Sequence, residues 1–255
     1  MKQYIRYEEQ GKPHYGQVTP EGVYGLEGPP WHEIQPTGWM GQLEDLKILT
    51  PVEPSKIICI GVNYADHAAE RGSDVPKEPV LFLKPPSTLI GPDDPIRYPP
   101  QSQHVDYEGE LAVVIGKRIF CPDPVQARQA IFGYVIANDV TARDLQRSDE
   151  QWTRGKGFDT FCPVGPVINV DVDLGSREIE TRLNGEAKQR SNVSNMVFDV
   201  EYLVHYCAQV MTLLPGDIIL TGTPSGVGPM TPGDTVEVEI EGFGVLRNFI
   251  VAPGE

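Results

Sequence analysis

Two glutamates separated by one residue stand directly before an apolar run in Val105-Asp106-Tyr107-Glu108-Gly109-Glu110-Leu111-Ala112-Val113-Val114-Ile115. A single aspartate ends a second run, in Gly133-Tyr134-Val135-Ile136-Ala137-Asn138-Asp139. The apolar residues after Glu110 suggest a strand buried on both faces. On a strand, residues i and i+2 point to the same side, so Glu108 and Glu110 present their carboxylates together. Carboxylates at the end of a buried strand need a partner. Any fold that buries both runs and brings Asp139 close must therefore place something positive among three carboxylates. A hard divalent cation with oxygen ligands is the natural occupant. The spacing alone leaves a second reading open, a solvated strand face with alternating glutamates.

The composition fits a strand-dominated body. The 26 Gly and 24 Pro among 255 residues point to many turns and short strands rather than long helices. The length suits one large domain, or a small domain followed by a larger one. A net charge of −15 argues against nucleic acid and against acidic membrane surfaces as partners. It also means that an anionic ligand would need lysines and arginines beside the carboxylates. Cys59, Cys121, Cys162 and Cys207 form no C-x-x-C pair, which disfavours a zinc knuckle or a thioredoxin-like motif. Three of them lie among apolar neighbours, as buried free thiols do. The N-terminus lacks the apolar core of a signal peptide, and no apolar stretch reaches the roughly 18 residues of a membrane span. A soluble cytoplasmic protein is expected.

Along the chain, residues 3–7 alternate, 15–18 return after a turn, and 23–26 follow a second turn. This predicts a small β unit over residues 1–52, too small for its own core, packed on a larger unit over 53–255. A short strand is predicted over 56–62, with Asn63 capping a helix whose third residue is Asp66. A polar, breaker-rich loop covers 72–79, a strand 80–84, and a proline-rich loop 91–103. Helical spacing covers 124–132. An amphipathic helix is predicted over 202–213, with Leu203, Cys207, Val210 and Leu214 on one face. Strands over 217–221 and 236–240 flank a Gly/Pro-rich loop. The pattern is a β-rich α+β fold.

Several polar residues sit where they could serve the carboxylates. His67 and Glu70 share a helix face if the segment after Asn63 is helical, and a carboxylate beside an imidazole orients it for proton transfer. The alternative is a surface pair. Arg143 and Gln146 share a face if a helix starts near Thr141, and Arg offers a carboxylate a planar fork. The alternative there is an ion pair with Asp144, Asp149 or Glu150. Lys156 lies between two glycines in what reads as a loop, with Arg154 as a competitor. Thr223, after an apolar strand, could hold a substrate carboxylate or simply form a turn. Lys84 could balance the carboxylate charge but is left outside the catalytic set. No G-x-x-x-x-G-K-[ST] or G-x-S-x-G pattern is present.

Five segments occur in order: Gly61-Val62-Asn63-Tyr64-Ala65-Asp66-His67, Leu81-Phe82-Leu83-Lys84-Pro85, Asp106-Tyr107-Glu108-Gly109-Glu110-Leu111, Asn138-Asp139-Val140-Thr141-Ala142-Arg143-Asp144 and Leu220-Thr221-Gly222-Thr223-Pro224-Ser225-Gly226-Val227-Gly228. Together they resemble the fumarylacetoacetate hydrolase family, in its short bacterial and FAHD1-like branch, from about residue 54 onward. The resemblance implies a mixed β-roll or sandwich-like catalytic core in a homodimer. It implies Glu108, Glu110 and Asp139 as ligands of Mg²⁺ or Mn²⁺, with Ca²⁺ as an alternative. It further implies a His67–Glu70 lid dyad, Lys156 in the active site, and Arg143 and Gln146 on substrate. The substrate class is a small anionic 2-oxo or 1,3-dioxo acid. C–C hydrolysis of an acylpyruvate or decarboxylation of oxaloacetate, each through a pyruvate enolate, is favoured over isomerisation or tautomerisation of a hydroxy-dienedioate from aromatic breakdown or of oxaloacetate. A silent metal- or dicarboxylate-binding module is the reading from another class. Asp106-Tyr107 replaces a His-His pair of the branch, and the segment from Asp139 to Lys156 is short.

Overall fold

In the computed structural model every residue except Glu33, Arg71, Ser73 and Glu255 is described; Ser73 of the expected 72–79 loop thus lies outside the described residues. In chain order the strands are β1 (Lys2–Glu9), β2 (Lys12–Thr19), β3 (Gly22–Leu26), β4 (Pro36–Gly41), β5 (Lys47–Leu49), β6 (Ile57–Gly61), β7 (Val80–Lys84), β8 (Leu89–Ile90), β9 (Pro95–Arg97) and β10 (Val105–Tyr107). They continue as β11 (Gly109–Ile115), β12 (Ile131–Asn138), β13 (Thr141–Ala142), β14 (Cys162–Val170), β15 (Glu178–Leu183), β16 (Glu186–Asn192), β17 (Ile218–Leu220), β18 (Gly228–Met230), β19 (Thr235–Ile240) and β20 (Gly244–Val251). The helices are α1 (Ala65–Glu70), α2 (Pro124–Gln129), α3 (Arg143–Ser148), α4 (Thr153–Lys156) and α5 (Val200–Val210). None is long and apolar enough to cross a membrane. The expected β-rich α+β class is the observed one.

One large mixed sheet organises the chain, in the order β4-β3-β2-β1-β14-β12-β11-β17-β6-β7. The order β16-β15-β19-β20-β9 forms a second sheet, and β13-β10-β18 a small third one. The N-terminal strands extend the main sheet, because β1 pairs antiparallel with β14, Tyr4 opposite Ile168. Period-two alternation along β11 places it between two of the apolar clusters. Leu111, Val113 and Ile115 join a cluster with Leu203 and Cys207 of α5 and Val238 and Ile240 of β19. Ala112 and Val114 point the other way, into a cluster with Ile57, Cys59, Ala137, Cys162 and Leu220. A strand covered on both sides reads as a continuous apolar run, and that is the signal in the sequence. Cys59, Cys162 and Cys207 are buried free thiols and Cys121 is exposed.

Three local expectations change. The helix expected over 202–213 is α5, which starts earlier because the Asp199 side chain accepts a hydrogen bond from Tyr202 N at 2.8 Å. Its buried stripe is Val200, Leu203, Val204, Cys207 and Ala208, whereas Val210 is 59% exposed and Leu214 lies beyond the helix. Ile131 and Phe132 belong to β12 rather than to the preceding helix, which a capping box between Asp123 and Gln126 starts. Asn63 does not cap α1. Its buried amide donates to Phe198 O at 3.0 Å and Thr221 O at 2.8 Å and accepts from Phe198 N, tying three chain segments together.

Gly109, between the two glutamates, faces the other way from them and is pressed by the second sheet. A Cβ there would collide with Thr181 Oγ1 and come within 3.0 Å of Val238 Cγ1. Gly109→Ala is therefore expected to destabilise the protein by about 1–3 kcal/mol through overpacking. Urea unfolding of the variant measures it, and an unchanged midpoint would refute the close sheet contact.

Candidate active site

Register alone brings the carboxylates together. β11 pairs antiparallel with β12, Gly109 opposite Asn138 and Glu110 opposite Ala137. Glu108 occupies the break between β10 and β11, where Asn138 Oδ1 accepts its N–H at 2.9 Å and its carbonyl accepts Asp139 N at 2.9 Å. Glu108, Glu110 and Asp139 thus end neighbouring strands on the face that carries Ala112, Val114 and Ala137. All three side chains are buried, with one oxygen of each within 4.8 Å of the others. The solvated-face reading does not survive this burial. Three hard oxygen donors carrying three charges suit a cation such as Mg²⁺, Mn²⁺ or Ca²⁺.

The chain also brings its own cations. Lys156 Nζ donates to Glu108 Oε2 at 2.9 Å and to Asp139 Oδ2 at 2.5 Å. Lys84 Nζ donates to Asp139 Oδ1 at 2.5 Å and to Val140 O at 2.9 Å. Arg143 donates from Nε to Asp106 Oδ2 at 2.7 Å, from Nη1 to Gln146 Oε1 at 2.6 Å, and from Nη2 to Glu108 Oε1. Burial alone would raise the Glu108 carboxyl, but Lys156 and Arg143 outweigh it and hold the group well below the usual carboxylate range. Burial would lower the Lys156 ammonium, yet Asp139 and Glu108 keep it above its ordinary value.

Glu110 is the exception. Its Oε2 accepts Gly222 N at 2.7 Å, and no lysine or arginine among the described residues makes a salt bridge to it. Burial, then Asp139 and Glu108, push its carboxyl well above the usual range. A divalent ion among the three carboxylates would supply the charge that Glu110 lacks, so the residues fit such an ion. The sign of the pH effect follows. The folded ion-free state holds the Glu110 proton more tightly than the unfolded chain, so stability falls as pH rises from the ordinary carboxylate value of about 4.3 toward the raised folded value. Glu110→Gln is expected to stabilise the ion-free protein at pH 7, because it removes the cost of ionising a buried carboxyl beside Asp139 and Glu108. It should also abolish the rise in Tm with added Mg²⁺ or Mn²⁺. A thermal melt with and without ion reads both, and a lower ion-free Tm would refute the assignment.

His67 and Glu70 lie on α1 as anticipated, and His67 Nδ1 is 3.2 Å from Glu70 Oε2. The ring is buried and lines the same small space as Glu108, Glu110, Asp139 and Lys156. Glu70 Oε1 accepts Gly226 N at 3.0 Å, and Asp66 Oδ2 accepts the Ser225 hydroxyl at 3.0 Å. Tyr107 in turn donates to Gly226 O at 2.9 Å. The dyad helix is therefore fastened to the loop after β17. Gly222 of that loop has φ +96°, a left-handed conformation that glycine adopts without strain, and a Cβ there would meet Asn63 Cβ at 2.8 Å.

Other candidates are placed less simply. Gln146 lines the space, but Arg143 is not among the lining residues and directs its fork at Asp106, Glu108 and Gln146. Thr223 lines it too, with its hydroxyl donating to Gly109 O and accepting from Gln189 Nε2, both at 2.8 Å. Lys156 is a buried helical residue rather than a loop lysine. Gly155 makes this packing feasible, since a Cβ there would stand 2.8 Å from Gln146 N. Arg154 is exposed and pairs with Asp149. Lys84, set aside on sequence, and Asp106 belong to the cluster. The signal for Lys84 was available: it ends a strand two residues beyond Phe82, on the face that carries Cys59 and the carboxylates.

The fold recurs in known proteins. A 2-hydroxyhepta-2,4-diene-1,7-dioate isomerase from Mycobacterium marinum superposes with a TM-score of 0.92 at 42% identity, covering 100% of both chains. Fumarylpyruvate hydrolase from Pseudomonas aeruginosa, in complex with Mn²⁺ and pyruvate, gives a TM-score of 0.73 at 32% identity, covering 80% of this chain and 91% of that one. The mitochondrial oxaloacetate tautomerase FAHD2A of Bos taurus is 47% identical over 220 residues, 81% of this chain and 70% of the relative. Residues 2–51 match the family described as Rv2993c-like, N-terminal. Residues 56–251 match the one described as Fumarylacetoacetate (FAA) hydrolase C-terminal. That second stretch holds the buried carboxylates, the lysines and arginine that pair with them, and the His67–Glu70 pair, and by this match the chain belongs to the fumarylacetoacetate hydrolase family.

Proposed function

We propose that this protein moves a proton between carbon and oxygen of small 2-oxo dicarboxylic acids such as oxaloacetate, in their keto and enol forms. The observation that carries the reading is the placement of the His67–Glu70 pair and the buried carboxylate–lysine cluster around one space. Glu70 holds His67 Nδ1, which leaves Nε2 to take a proton from the carbon beside the keto group and deliver it to the enolate oxygen, or to carry it the other way. Lys156 stands where an enolate oxygen would develop charge, and a buried ammonium there stabilises it. The amide NH₂ of Gln146 and the backbone at Thr223 are suited to the substrate carboxylates. Arg143 serves by keeping Glu108 ionised and in place. A divalent ion held by Glu108, Glu110 and Asp139 would add Lewis acidity at the keto oxygen.

Sequence motifs alone favour cleavage. The likeness to a tautomerase at 47% identity and to an isomerase at 42% supports proton transfer as the first reading. Cleavage of an acylpyruvate to pyruvate is the second reading, supported by the Mn²⁺- and pyruvate-bound hydrolase. Both pass through the same kind of enolate. The test follows enol absorbance and pyruvate release from oxaloacetate, acetylpyruvate and fumarylpyruvate, with Mg²⁺, with Mn²⁺ and after chelation. Ion-dependent enol loss without pyruvate is the expected result. Pyruvate release would move the cleavage reading forward. Silence on all three with ion still bound would leave a binding module.

A further inference from the structure

The apolar side of this space is built by two adjacent strands and one residue packed on them. Ile60, Gly61, Val62, Phe82 and Trp152 line it beside the charged groups. β6 pairs with β7 so that Gly61 lies opposite Val80 and Cys59 opposite Phe82, which puts Gly61 and Phe82 on one sheet face. The half-buried Trp152 indole stands over both. Its ring centroid is 5.1 Å from that of Phe82, edge-on at 72°. A Cβ on Gly61 would be 2.9 Å from indole Cζ3 and 3.0 Å from Cη2. Gly61 has no left-handed φ, so its backbone does not demand glycine. The glycine makes room, and the indole takes the space a side chain would fill.

Trp152 is also tied to the chemistry. Its carbonyl accepts Lys156 N at 2.9 Å, so one helical turn carries both the ring and the buried ammonium. The Phe82 ring lies under both, 5.0 Å from Lys156 Nζ. The cavity enclosed by the lining residues is ≈ 10 Å³, far below the roughly 300–1,000 Å³ found for drug-sized ligands, so any added substrate length must come at the expense of the side chains that line it.

Resting on the functional reading above, we infer that Trp152, seated on Gly61 and Phe82, is the wall that limits substrate length and makes the site prefer four-carbon 2-oxo acids to longer ones. With the 2-oxo acid end at the charged groups, the added carbons of a longer acid need room that Trp152 occupies. A longer acid must displace the indole, and an apolar wall discriminates by about 10- to 200-fold for one methylene.

The experiment compares kcat/KM and KM for oxaloacetate, acetylpyruvate and fumarylpyruvate in the unaltered protein, Trp152→Ala and Trp152→Phe, each with Mn²⁺. Trp152→Ala is expected to raise the fumarylpyruvate-to-oxaloacetate ratio of kcat/KM by at least about tenfold, through a lower KM for the longer acid. Trp152→Phe should fall between. It keeps an aromatic ring on Phe82, so the comparison stays decisive if the alanine variant does not fold. A loss of equal size for all three acids is what a merely structural residue would give, and it would overturn the wall while leaving the functional reading intact. No turnover and no calorimetric binding of any of the three acids by the unaltered protein would overturn the reading and the wall with it.

Discussion

Asp139→Ala is expected to lose about 3–5 kcal/mol of folding stability, the usual result of removing one partner from a buried ion pair, together with divalent-ion binding. The loss is large because Asp139 serves two cations. Its Oδ1 accepts Lys84 Nζ and its Oδ2 accepts Lys156 Nζ, each at 2.5 Å. Both lysines are nearly inaccessible to water, at 1% and 2% exposure. With alanine in place, Lys84 keeps only the Val140 carbonyl and Lys156 only Glu108. Two ammonium groups would then be buried with too little negative charge, and neither stem is free to reach solvent. At about 2–4 °C per kcal/mol for a chain of this size, Tm should drop by roughly 6–20 °C. Asp139→Asn keeps the shape and one acceptor oxygen and should lose less. Denaturant titration of both variants settles the order, and a loss below about 1 kcal/mol in the alanine variant would mean that the lysines relax into water.

His67→Ala is expected to lower kcat by about 10²- to 10⁴-fold, the range of a positioned general base, with little change in KM or in Tm. The helix keeps its fastening, because Glu70 Oε1 still accepts Gly226 N and Asp66 still accepts Ser225. Alanine is also the best helix former. Glu70→Gln should have a smaller effect on kcat, since an amide oxygen can still accept from His67 Nδ1 but carries no charge to stabilise the imidazolium. A His67→Ala enzyme that retains more than a tenth of its activity would shift the proton-transfer role to another titratable group lining the space, Lys156 or Glu110.

Much of this was legible before any coordinates. Glu108, Glu110 and Asp139 sit at the ends of apolar runs. A buried strand end with an unpaired charge is costly wherever it occurs, so the chain has to gather these groups with compensating charge. His67 and Glu70 were legible for the same local reason, a helical spacing of three that puts both on one face. Strands β6, β11, β12 and β17 announced themselves by unbroken apolar residues, because burial on both faces leaves no polar alternation.

Contacts between distant segments decided the rest. In sequence Lys84 reads only as a strand-end lysine and Lys156 only as a lysine between two glycines; strand parity on β7 and the close packing of Gly155 against Gln146 carry their ammonium groups to Asp139. Arg143 turns from a ligand-facing fork into the support of Glu108 because Asp106, on a neighbouring strand, claims its Nε. Asn63 reads as a helix cap and is instead a clamp between Phe198 and Thr221. Gly61 and Trp152 are far apart in the chain, and neither signals the other. Local spacing sets which groups share a face and which need a partner. Which partner each one meets depends on strand order and on the few places where a missing Cβ lets two segments touch, and both are properties of the folded chain alone.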